Sequence, residues 1–129
     1  MRSYLVLLLA FLSSATAYAE PHDVYPVSCD VLWAAVNLTL SKPGDYGVMG
    51  IDDLNRRASF VVVGDLAAYR DTVSVSPLGN GCAMKLAMFQ DGPDDSNARG
   101  FRKRLKKSLM KVQAAAAPPP KTPVPQGQE

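Results

Sequence analysis

Histidine occurs once in this chain and cysteine twice, so a metal site built from closely spaced His and Cys pairs has no material. His22, beside Asp23, stands near the start of the folded region, and no nucleophile-elbow pattern accompanies it; a Ser-His-Asp hydrolase has no frame here. The longest apolar run, Tyr4 to Leu12, is shorter than the roughly 20 residues a bilayer-spanning helix needs. Negative charge is missing most unevenly of all: no Asp or Glu lies between Ser96 and Gln113. The expectation is a protein that is not an enzyme, with no catalytic residue, metal or cofactor to assign.

Two acidic clusters suggest calcium and then fail the pattern. Asp52, Asp53 and Asn55 lack the Gly and terminal Glu of an EF-hand, while Asp91, Asp94, Asp95 and Asn97 enclose Pro93 and double as a turn and helix cap. The triplet Asn37-Leu38-Thr39 has the form of a glycosylation acceptor but falls inside a helical pattern.

What is present is a basic amphipathic segment, ARGFRKRLKKSLMKV, from Ala98 to Val112. At about 100° per residue, Ala98, Phe101, Leu105, Leu109 and Val112 share a wedge roughly 80° wide, which predicts a buried edge. The rest of the circumference holds Arg99, Arg102, Lys103, Arg104, Lys106, Lys107 and Lys111. These seven cations are the expected docking surface for an acidic protein, an acidic glycan or a lipid headgroup, the competing reading being a merely solvated face. Nucleic acid is not an expected partner because of the export signal described next.

Residues 1–19 read as a signal peptide: Arg2 supplies the positive start, Tyr4 to Leu12 the apolar centre, and Ala17-Tyr18-Ala19 a small-x-small cleavage site. Residues 20–113 form the predicted domain. Residues 114–129, four alanines followed by a Pro- and Gln-rich end, read as a disordered tail. An exported chain of this kind is periplasmic or secreted, without a transmembrane span after cleavage. In that oxidising setting Cys29 and Cys82 are the expected disulfide, since both fall on inward faces. Leaving out Arg2 and the seven cations, the chain has six basic against twelve acidic residues, a dipolar arrangement.

Between the ends the pattern alternates. Pro21 to Val27 reads as an edge strand, and Ser28 as the N-cap of a helix running to about Ser41, with Cys29, Leu32, Trp33, Val36 and Leu40 as its core stripe. Val31, Ala34, Ala35 and Leu38 make its other side apolar too, which demands a second packing partner: the C-terminal helix, or a second copy held through Val31 and Leu38. Tyr46 to Asp52 and Arg57 to Val63 form a hairpin around Asp53-Leu54-Asn55-Arg56. Thr72 to Ser76, stopped by Pro77, and Cys82 to Phe89 form another around an Asn-Gly turn.

The order β-α-β-β-β-β-α predicts a two-layer α+β domain, an antiparallel sheet packed on two helices. In that order, and in the runs VYPVSCDVLWAAVNLTL and YGVMGIDDLNRRASFVVVG, the chain resembles helix-grip domains such as those of the outer-membrane assembly lipoprotein BamC and related uncharacterised exported proteins. The resemblance implies a sheet cradling the C-terminal helix and a role as an envelope accessory or interaction module. No Cys follows the cleavage site, so lipid tethering is not implied. The alternative is a small apolar-ligand carrier, with a pocket between sheet and helix lined by Trp33, Phe60, Met84 and Met88.

Overall fold

The computed structural model describes residues 22–64, 69–88 and 96–117. Residues 1–19, read above as a signal peptide, the acidic group Asp91, Asp94 and Asp95, and the chain from residue 118 lie outside the described residues. Seven elements follow in order: β1 (Asp23–Tyr25), α1 (Cys29–Leu40), β2 (Tyr46–Asp52), β3 (Arg57–Val62), β4 (Asp71–Leu78), β5 (Gly81–Ala87) and α2 (Ser96–Ala116). The strands make one antiparallel sheet ordered β1-β5-β4-β3-β2, so β1 and β2 are its outer strands. This is the α+β arrangement the alternation predicts.

α1 starts where Ser28 accepts a hydrogen bond from the Val31 amide, satisfying one donor of the open first turn. Its stripe of Cys29, Leu32, Trp33, Val36 and Leu40 is buried against inward residues of the sheet, among them Phe60, Val73, Val75, Cys82 and Met84. α2 packs on α1 along the line of Ala35 and Thr39, which are buried, while Val31 and Leu38 are half-buried and Ala34 is exposed. Thr39, which by composition belongs with the polar residues, is fully buried there: its hydroxyl bonds to the Ala35 carbonyl at 2.8 Å and the Ser108 hydroxyl at 2.9 Å. Two hydroxyls that satisfy each other and the helix backbone can be buried where a lone one would be destabilising.

The chain departs from its sequence pattern at three other places. Pro77 does not end β4 but lies within it, opposite Cys82. The Val75 amide donates to Arg56 on the β3 side, and β3 reaches only as far as Ser74. Pro77, two residues on, therefore aims its nitrogen at an edge already open, where a missing N–H is tolerated. The β4–β5 turn is Gly79-Asn80 rather than Asn80-Gly81, since Leu78 pairs with Gly81, and Gly79 takes the positive φ of 57° that the tight turn needs. Gly81 is required for another reason: a Cβ there would sit 2.4 Å from the Tyr25 carbonyl oxygen, so β1 could not pair with β5 at this distance. Finally, α2 runs through Ala116, taking the first three alanines of the segment read as tail into the helix with their side chains exposed.

Cys29 and Cys82 form a disulfide between the first turn of α1 and β5, with an S–S distance of 2.07 Å and Cα atoms 5.1 Å apart. It joins positions 53 residues apart, and the chain-entropy account gives such a loop about 4 kcal/mol. Reduction should therefore lower the urea midpoint of unfolding by an amount corresponding to a few kcal/mol. The protein from an oxidising compartment should show no alkylatable thiol by mass spectrometry until it is reduced. Two thiols labelled without reductant would contradict both expectations.

Candidate functional site: the basic helix

α2 is held by its apolar edge. Ala98, Phe101 and Leu105 are buried, Leu109 and Val112 pack against the core from its margin, and Ser108 completes the seam with Thr39. Phe101 stacks on Phe60 with ring centroids 5.6 Å apart and planes 16° from parallel, and Tyr46 meets both rings edge-on at 5.7 and 5.4 Å. Such contacts contribute about 0.5–1.5 kcal/mol each beyond the burial of area.

The seven cations do not behave as one surface. Arg102 donates from Nε to Asp23 Oδ2 at 2.7 Å, on β1. Arg104 lies 3.4 Å from Asp45, donates to the Tyr46 hydroxyl at 3.1 Å and sits over the Tyr46 ring at 5.6 Å, all beside β2. Helical geometry places Arg102 about 100° to one side of Phe101 and Arg104 about 60° to the other. The two arginines thus bracket the buried edge and tie α2 to both outer strands of the sheet. Arg99, Lys103, Lys106, Lys107 and Lys111 are exposed. The four lysines make no hydrogen bond or ion pair with a described residue.

Other acidic groups that stood out in the sequence have structural occupations. Asp52 accepts from the Asn55 amide at 3.0 Å and its side chain at 2.8 Å, and the Asn55 hydrogen bonds hold its carboxyl below the usual range. Asp53 accepts the Trp33 indole N–H at 2.8 Å, and Asp30 pairs with Arg56. The last two contacts fasten the β2–β3 turn onto α1. No group of His, Cys, Asp or Glu among the described residues has the arrangement of a metal site. Of the residues expected to line a carrier pocket, Trp33, Phe60 and Met84 are buried and Met88 packs against the core from its margin. The depressions described next involve other residues.

One depression is a polar cleft of about 350 Å³ beside Arg104, between the start of α2 and the β2 edge. A second, also about 350 Å³, is an open apolar groove at the opposite end of α2, lined by Lys42, Lys107, Met110, Lys111 and Ala114. Met110 is 63% exposed. The wheel pattern that identifies the cations also places Met110 among them, and that position was the available signal for this groove.

Compared with known proteins, the chain matches no family model, no curated protein and no solved structure. The site rests on its own residues.

Two expectations follow. Arg102→Gln and Arg104→Gln should each lower stability by up to about 1 kcal/mol, the range of partly exposed ion pairs. Lys→Gln at Lys103, Lys106, Lys107 and Lys111 should leave it unchanged or raise it, because like charges at i,i+4 are relieved; urea titration separates the two groups. The Tyr46 hydroxyl provides a pH test. Burial raises its pKa above the ordinary 10.0, against a smaller lowering effect of Arg104. A folded-state pKa above the unfolded one stabilises fully below pH 10.0 and is lost as pH rises through the raised value. The urea midpoint should fall on that alkaline side, and Tyr46→Phe should flatten part of the fall, Tyr25 contributing with the same sign.

Proposed function

We propose that this protein is a non-enzymatic interaction module of an exported, oxidising compartment, and that it docks anionic partners on the lysine side of α2. The observation that carries this reading is the division of the cations. Arg102 and Arg104 are engaged by the protein's own carboxylates, whereas Lys103, Lys106, Lys107 and Lys111 are exposed on a helix fixed in place by its other edge. A helix already fixed in place presents its lysines with no backbone left to order, and all 12 acidic residues of the chain lie outside α2, which would turn this side toward an anionic surface on approach. The Cys29–Cys82 bond is in keeping with an oxidising compartment. The α+β arrangement of two helices and one antiparallel sheet is what the proposed kinship to helix-grip envelope domains would require.

Retention on a heparin column under a salt gradient tests the reading. Wild-type protein should elute at clearly higher salt than the variant with Gln at Lys103, Lys106, Lys107 and Lys111, since exposed charges act through a screened field. The Arg102→Gln, Arg104→Gln double variant should stay closer to wild type despite its lower stability. Equal elution of wild-type and lysine-variant proteins would rule the reading out.

A further inference from the structure

We propose that the anionic partner of this surface is a lipid bilayer, met side-on by the C-terminal half of α2 with Met110 seated among the headgroups. This rests on the lysine-side reading and narrows it. α1 ends at Leu40, while α2 continues to Ala116. The step between them is the open groove, with Met110 and Ala114 as apolar lining and Lys42, Lys107 and Lys111 around it. At about 100° per residue Met110 points directly away from Phe101, and Lys103, Lys106, Lys107 and Lys111 all fall within about 100° of it. The outer side of the helix is therefore a field of lysines with one long apolar side chain near its centre, 63% exposed. Ala114, about 40° from Met110 around the helix, is exposed as well, and its small side chain would not hold this side away from a flat surface.

Charge alone would suit a sulfated glycan, but a glycan makes no use of the apolar groove. A bilayer supplies both chemistries at the right depths, phosphate for the lysines and the acyl boundary for Met110, whose unbranched thioether adapts to an irregular surface. The exposed part of this side holds no Trp, Tyr or Phe, so attachment is shallow, electrostatic and reversible by salt.

The test is co-sedimentation with vesicles of phosphatidylcholine containing phosphatidylglycerol, against vesicles of phosphatidylcholine alone. The neutral vesicles also report any contribution from the apolar run Tyr4 to Leu12. Binding to the anionic vesicles only is expected, with each of Lys107→Gln and Lys111→Gln weakening it about fivefold. Met110→Ser should lower vesicle binding without changing elution from heparin. Met110→Trp should show a blue-shifted emission on anionic vesicles, distinct from buried Trp33. Circular dichroism of each variant checks that the fold is retained, as the exposure of these positions leads one to expect. Heparin retention without vesicle binding would overturn the bilayer and leave an acidic protein or glycan as the partner, with the lysine-side reading intact. Vesicle binding indifferent to Met110→Ser, with no emission shift for Met110→Trp, would also overturn it. Absence of retention on both heparin and vesicles would remove both readings.

Discussion

The stacking of Phe101 on Phe60 is the contact on which the rest of this structure depends. A helix bearing seven cations and no carboxylate gains nothing from its own surface, where neighbouring like charges repel by a few tenths of a kcal/mol per pair. It stays on the domain because its narrow apolar edge is buried, at roughly 1.5–3 kcal/mol for each large side chain. Phe101 carries the ring on that edge and meets Phe60 on β3, with Tyr46 closing the cluster from the neighbouring outer strand β2. Without that anchor, the charged circumference would favour detachment into water.

Around the anchor, weaker contacts decide the orientation. Arg102 reaches β1 and Arg104 reaches β2, the two strands farthest apart in the sheet, so rotation of α2 about its axis would break one or the other. Thr39 and Ser108 fix the height of α2 on α1 with a buried hydrogen bond. At the other end of α1, Trp33 with Asp53 and Asp30 with Arg56 hold the β2–β3 turn, and the disulfide holds β5. The arginine pairs are partly exposed and individually modest, yet their placement on opposite flanks gives them a geometric role greater than their energy.

Periodicity made the architecture legible because α2 is amphipathic, because the core stripe of α1 recurs at helical spacing, and because the hairpin turns carry their own chemistry. The stripe from Cys29 to Leu40, the wedge from Ala98 to Val112 and the cysteine pairing could be read directly. The exceptions share a cause: each is settled by a neighbour remote in sequence. Pro77 is tolerated because β3 ends early, Gly81 is required by the approach of Tyr25, and Thr39 is buried because Ser108 faces it. Ser108 itself had a local signal, seven residues after Phe101 on the same side of the helix. The separation of the cations was only half visible, since the wheel gives the flanking positions of Arg102 and Arg104 but not the carboxylates that meet them.

That separation follows residue chemistry. A guanidinium is weakly hydrated and planar, so at the margin of a core it can lie over an aromatic ring while its edge donates to a carboxylate, which is the position of Arg104 over Tyr46 beside Asp45. An ammonium is compact and strongly hydrated and loses more when drawn into such a margin. Along α2 Arg102 and Arg104 flank the buried wedge, Lys103 and Lys107 lie farthest from it, and Arg99 is exposed on the outer side with them. Arg102 and Arg104 serve the fold, and the exposed lysines stay in water. Exchanging Arg102 and Arg104 with two lysines of the outer side would preserve the net charge but loosen α2, because lysine makes a poorer clamp at the aromatic edge.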